Sequence, residues 1–324
     1  MFDLGLSGWL ENFNGGATNG GGSPLTYDLG GLAGGAGARL TGRATNNGVA
    51  NGVSIYSIGA KGSDTTFAGT IQDGVSAGTV VVVKVGGGKL TLSGASTYSG
   101  GTTVSNGTLL ANGVASTGTG TNTVAGGTLG GTGSISGRVE VLAGGTFSPG
   151  TSPGTLTVSN NVVLSGTTLM ELTPATNDLL RVTGTLTAGG TLTVTNIGGT
   201  LTNGTIFTLF NQAAPGFTTT LPAGYVWTDN IGTAGAITLV SGGISLVNTT
   251  PTNITSSVSG STLTLSWPSD HTGWSLQTQT NTLAVGLTPA TNTWFNVSGS
   301  SATNSVSVTI DPLQPTVFYR LVYP

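Results

Sequence analysis

One tripeptide, Gly followed by Thr or Lys and then Leu or Phe, begins at Gly88, Gly107, Gly127 and Gly145, at intervals of 19, 20 and 18 residues. Such self-similarity restricts the chain to folds assembled from repeated units. Propeller blades need roughly 40 residues or more, whereas a coil of stacked strands fits the shorter period. The tripeptide recurs at Gly154, Gly184, Gly190 and Gly199, closer together and less evenly. Residues 89–92, 107–110, 139–142, 155–158, 185–187 and 191–194 alternate apolar with polar or Thr positions, as half-buried strands do, and lie between Asn-Gly or Gly-Gly turn signals. No segment keeps helical spacing for three turns, so almost no helix is expected.

The geometry is feasible. At about 3.3 Å per strand residue one such coil has a perimeter of about 60 Å, enough for two or three faces. From residue 80 to 210 the spacing predicts about seven coils, a rod about 33 Å long. Stacking also gives a reason for the scarcity of charge, with 8 Lys and Arg against 11 Asp and Glu, 6% of the chain. Charges at equivalent positions of successive coils would sit about 5 Å apart and repel, while Thr keeps strand propensity without that cost. Eight scattered cations make no basic patch, so nucleic acid and anionic membrane surfaces are not expected partners. The nearest approach to a spanning segment is the short run 79–85, and the opening residues have neither the basic nor the apolar region of a signal peptide. Without cysteine there are no disulfides and no thiolate metal sites.

Residues 84–112, Lys-Val-Gly-Gly-Gly-Lys-Leu-Thr-Leu-Ser-Gly-Ala-Ser-Thr-Tyr-Ser-Gly-Gly-Thr-Thr-Val-Ser-Asn-Gly-Thr-Leu-Leu-Ala-Asn, resemble the autotransporter-associated β-strand repeat. The likeness continues more loosely to about residue 210, through residues 127–133 and 147–156. It implies a right-handed parallel β-helix of the passenger type, outside the cytoplasm. No C-terminal membrane barrel follows the repeat, a departure from complete autotransporters.

The fold expected is therefore all-β, a β-solenoid followed by a C-terminal β-sandwich. Residues 1–52 read as a Gly-rich N-terminal arm, 53–243 as the solenoid, closed by an aromatic cap over 205–243, and 244–324 as the sandwich. In the last segment, runs at 262–267, 273–279, 293–297, 305–310 and 317–322 alternate between turn signals. With its Leu-Ser-Trp-Pro and Phe-Tyr-Arg-Leu-Val elements it resembles the fibronectin-like or immunoglobulin-like module closing many secreted proteins of the Verrucomicrobia and Planctomycetes, which implies sorting or attachment.

Because β-helices can carry acid–base sites, the acids were paired through the coils. Glu140 with Glu171, and Asp178 with Arg181, are the candidates; solvated charges or a local ion pair is the commoner outcome. His271, the single histidine, follows Asp270 in a turn and has no metal-ligating partners nearby. Asp64 and Asp73 lack the repeated pattern of a calcium-binding solenoid. Neither a cofactor nor an enzymatic activity is expected. Trp267, Trp274 and Trp294 could stack on sugars, although strand alternation sends at least one of them to a core. The expected role is that of an extracellular structural protein, self-associating head to tail into a surface or matrix filament through solenoid ends, arm and C-terminal module. The alternative is a monomeric surface adhesin or glycan binder, and a polysaccharide lyase or hydrolase ranks below both.

Overall fold

The structure, a computed structural model, describes residues 2–3, 5, 9–10, 24–42, 52–74, 78–243 and 247–323. The chain divides into two units, Met1–Gly243 and Ile244–Pro324.

The first unit is a parallel β-helix. Sheet A stacks eight strands: Leu25–Leu29, Val53–Ile58, Thr79–Lys84, Thr102–Val104, Asn122–Val124, Val139–Val141, Val162–Leu164 and Leu186–Ala188. Sheet B stacks eight more: Thr65–Phe67, Lys89–Leu92, Thr108–Ala111, Thr128–Gly131, Thr146–Pro149, Thr167–Leu172, Thr191–Asn196 and Thr218–Thr220. Two three-stranded parallel sheets form parts of a third face, one with Trp9–Leu10, Arg39–Thr41 and Thr70–Gln72, the other with Ser134–Ile135, Thr155–Val158 and Leu179–Val182.

The tripeptide period is the period of sheet B. In each of the four regular copies the Gly precedes a sheet B strand, the second residue points outward and the third inward. The irregular copies fall on different faces: Gly154 precedes a strand of the third face, Gly184 lies before sheet A and Gly190 before sheet B. Pairing is in register, so Leu90, Leu109, Leu129 and Phe147 form one buried column. Each buried Leu contributes roughly 1.5–3 kcal/mol of transfer free energy. On the outer face the register aligns six threonines from successive strands: Thr108, Thr128, Thr146, Thr167, Thr191 and Thr218. The corners before sheet B are glycine because the coils touch there. A Cβ at Gly190 would run into the carbonyl of Gly166, and one at Gly166 into that of Gly145.

The arm expected over residues 1–52 is corrected over its described part. Leu25–Leu29 pairs with Val53–Ile58 along five residues and belongs to sheet A, and Leu32, Ala38 and Leu40 lie in the solenoid core. The five-residue run Leu-Thr-Tyr-Asp-Leu has enough alternation to pair once a neighbouring strand offers an edge, despite the glycines around it. Residues 1, 4, 6–8, 11–23 and 43–51 of that segment lie outside the described residues.

Toward residue 243 the pairing turns antiparallel. Ile206–Thr208 and Val226–Asn230 flank Ala236–Ser241, and Phe207, Ile237 and Leu239 continue the same core. Phe207 meets Trp227 edge-on, with ring centroids 6.0 Å apart. A four-residue helix, Ile231–Ala234, ends at Gly235 in the left-handed region, φ 69°.

The second unit holds two three-stranded antiparallel sheets. One contains Thr255–Ser259, Thr262–Ser266 and Ser305–Thr309; the other contains Phe295–Asn296, Ser275–Asn281 and Thr316–Val322. Leu265, Trp267 and Leu276 are fully packed between them, with Val306, Tyr319 and Leu321 around. Thr255–Ser259 was not anticipated: all five residues are exposed, with Val258 as the only large apolar side chain. Its hairpin partner supplies the pairing.

Candidate functional site

The chemistry-bearing residues separate into groups that hold backbone and groups that border an open groove. Lys84 is the first of the buried groups. Its strand alternates, and the alternation sends the lysine inward, in register with Ile58 on one side and Val104 on the other. It is 1% exposed. Its ammonium donates to the carbonyls of Val85 at 2.7 Å, Gly86 at 2.8 Å and Asn106 at 3.1 Å, which uses all three of its protons. Burial lowers its pKa, and Asp64 acts in the opposite sense. Further along the same interior, the buried Tyr98 hydroxyl meets Thr102 Oγ1 at 2.5 Å, and burial pushes the phenol well above its ordinary range.

The acids proposed as catalytic pairs are not brought together. Glu140 sits on sheet A and Glu171 on sheet B, and Glu140 Oε1 lies 3.6 Å from Arg138. No ion pair joins Asp178 to Arg181 among the described residues; Arg181 is exposed, whereas Asp178 is buried. Both Asp178 oxygens accept backbone N–H groups, Oδ1 from Gly154 at 2.7 Å and Oδ2 from Glu171 at 2.8 Å. Burial nonetheless raises its pKa to about 6, against the opposing pull of those two hydrogen bonds.

Other acids act in the same way. Asp64 accepts from the N–H of Lys89 at 2.8 Å and faces its ammonium at 3.6 Å, with the backbone bond the main reason its pKa is lowered. Asp73 Oδ1 accepts from Val80 at 2.8 Å and from Ser99 at 3.1 Å, and Asp229 from Ile231 at 2.9 Å. Among the described residues no three acids or histidines cluster as metal ligands would.

In the second unit the three tryptophans are 3%, 6% and 7% exposed, so their expected availability for sugar stacking is corrected. Trp267 is core. Trp274 donates from Nε1 to the Asn248 carbonyl at 2.8 Å and lies between the rings of His271 and Tyr323, at 5.2 and 5.5 Å. Trp294 donates to the Thr288 carbonyl at 3.0 Å, and Arg320 covers its face at 4.3 Å. All three lie just outside the strands that alternation placed them in, next to Thr262–Ser266, Ser275–Asn281 and Phe295–Asn296, and alternation did not show that neighbouring residues would cover the outer indoles. His271 is buried, with Nδ1 2.7 Å from Asp270 and Nε2 2.7 Å from the Thr250 carbonyl. Both partners are acceptors, which favours the doubly protonated ring; its pKa is raised, chiefly by the Thr250 contact, and that of Asp270 is lowered.

An open groove of about 270 Å³ lies on the outer face of sheet B. Thr108, Leu110, Thr128, Gly130 and Ser148 line it, the turn 149–152 forms a rim, and Lys89 and Glu171 also border it. Its residues are spread over more than eighty positions of sequence, and only the stacking of coils assembles them.

A profile of the passenger-associated-transport-repeat family matches residues 82–111. No curated protein matches the chain. The matched stretch runs from the end of one sheet A strand through Lys89–Leu92 and Thr102–Val104 to the end of Thr108–Ala111, about one and a half coils, and it includes Lys84, its three carbonyls and the Tyr98–Thr102 pair. Among the described residues no helix is long and apolar enough to cross a membrane. The chain thus carries an autotransporter passenger-type repeat within a parallel β-helix, which supports a secreted or surface location.

Proposed function

We propose that the protein is an extracellular structural passenger, a β-helical rod that works by presenting surface and by associating with its own kind rather than by turning over a substrate. The observation that carries this reading is the use made of acidic side chains in the first unit. Asp64, Asp73, Asp178 and Asp229 each accept backbone N–H groups at turns, so these carboxylates maintain the coil. Head-to-tail assembly is the finer form of the proposal. Among the described residues Leu25–Leu29 and Leu186–Ala188 are the edge strands of sheet A, and parallel edges on a chain with 6% charged residues lack the usual electrostatic protection against pairing. The C-terminal module serves attachment.

Two measurements test the reading. Protease applied to intact producing cells digests the protein if it is surface-exposed; protection until lysis refutes an extracellular location. Purified protein examined by light scattering and negative-stain microscopy shows concentration-dependent linear assemblies; monodisperse monomers at every concentration refute assembly and leave the location standing.

A further inference from the structure

The groove on sheet B is built rather than incidental. It follows the stacking direction, crossing strands Lys89–Leu92 to Thr167–Leu172. Its floor exists because Gly130 stands in the outward column between Leu110 and Ser148, and a Cβ at Gly130 would strike the Ser148 carbonyl oxygen. Its rim holds two residues in the left-handed region, Gly150 at φ 88° and Ser152 at φ 83°, the latter a conformation disfavoured for any residue with a Cβ. Directly behind the rim lies Asp178. That carboxylate binds the N–H of Gly154 at the rim's far end and the N–H of Glu171 at the groove's border, and a Cβ at Gly150 would strike Asp178 Oδ1. One carboxylate thus fixes both segments that border the groove.

The lining indicates what fits. Thr108 and Thr128 place hydroxyls one coil apart, about 4.8 Å, and Ser148 adds a third on the next coil, two residues further along its strand; each can donate or accept. Leu110 and Pro149 add apolar contact. Lys89 is already paired with Asp64, and the border at Glu171 is a carboxylate, so a polyanion would meet no free cation there. We propose that the groove binds a neutral, extended, β-linked polysaccharide, with successive sugars lying across successive coils. Such chains alternate hydroxyl edges with C–H faces and advance per sugar by nearly the interval between coils. Asp178 acts as a positioning residue through the rim and makes no contact with the glycan. This binding role goes beyond the structural proposal above and does not depend on it.

Isothermal titration of the purified full chain tests it, using neutral β-1,4-linked hexasaccharides of glucose, mannose and xylose, with maltohexaose and an oligogalacturonate as comparators. Saturable binding is expected for at least one β-linked neutral sugar and for neither comparator. Thr128→Trp, which fills the groove from the outer face, weakens that binding at least about tenfold. Thr218→Trp, in the same threonine column but outside the groove, leaves it unchanged. Circular dichroism establishes that both variants fold; if Thr128→Trp does not, Leu110→Ser replaces it and the same loss is expected. No binding to any neutral β-linked sugar, tighter binding to a comparator, or equal affinities in the Thr128 and Thr218 variants overturns the proposal.

Discussion

The two units of this chain solve the same problem, a core for short β-strands, in opposite ways. In the β-helix the core is a set of columns whose members repeat from coil to coil, as in Leu90, Leu109, Leu129 and Phe147, and polar side chains mostly serve the backbone. In the C-terminal module three buried residues, Leu265, Trp267 and Leu276, form the centre, and large aromatic groups around it are pinned by single hydrogen bonds and stacked partners. A repeated core spreads its stabilisation along the stack through nearest-neighbour contacts, whereas a small aromatic core concentrates it in a few side chains.

The largest expected effect that could break this contrast is at Phe147, fully buried in the sheet B column. Phe147→Ala should destabilise the first unit by about 3–5 kcal/mol in chemical denaturation while leaving the module's own transition unmoved. A shift of both transitions together would show that the units do not store stability separately. Next in size, Asp178→Ala strands two backbone N–H donors and should cost the first unit about 2 kcal/mol. The same group sets a pH dependence. Its folded pKa of about 6 lies above its ordinary 3.8, so the folded state holds the proton more tightly and this contribution to stability falls as pH rises from about 4 through 6. The variant should lose that slope.

Smaller and in a different window is the response of the module. His271 has a raised folded pKa, so its contribution is present below the ordinary value of 6.5 and is lost as pH rises through the folded value. Asp270, lowered, makes the complementary contribution, lost as pH falls below 3.8 through its folded value. The module's thermal midpoint should therefore decline as pH rises above 6.5, and His271→Gln should flatten that decline without altering the first unit's acid-side slope. Coincident pH profiles for the two units would undo the comparison. The smallest effect is a null one. Because Trp267, Trp274 and Trp294 are covered, adding a groove-binding oligosaccharide should leave their fluorescence unchanged; a spectral shift abolished by Trp294→Phe would return the sugar site to the module.

The sequence disclosed what depends on local pattern. The tripeptide marked sheet B, with its Thr outward and its Leu inward, but it missed the coil in which Thr168 takes the Leu position after Gly166-Thr167. It could not show which way Lys84 faces, because Val80 to Val83 are all apolar and either face would read alike; pairing with Ile58 and Val104 decides it. Leu25–Leu29 looked like part of a loose arm because its partner strand is more than twenty residues away. The groove was illegible for the same reason. Thr108, Gly130, Ser148 and Glu171 become neighbours only through register, and Asp178, which the sequence pairs with Arg181, finds its partners instead in the N–H groups of Gly154 and Glu171.

Lys84 bears on how the fold is reached. A chain of near-equivalent coils can thread itself one whole turn out of step, exchanging one Leu or Val for another at little cost, and such a misthreaded state would compete with the correct one. Moved to its neighbours' places, at Ile58 or Val104, the ammonium would leave the three carbonyls that hold it and enter an apolar column unpartnered, at a cost of several kcal/mol. One internal cation thus works as an index mark, giving an otherwise repetitive winding a single place from which its turns are counted.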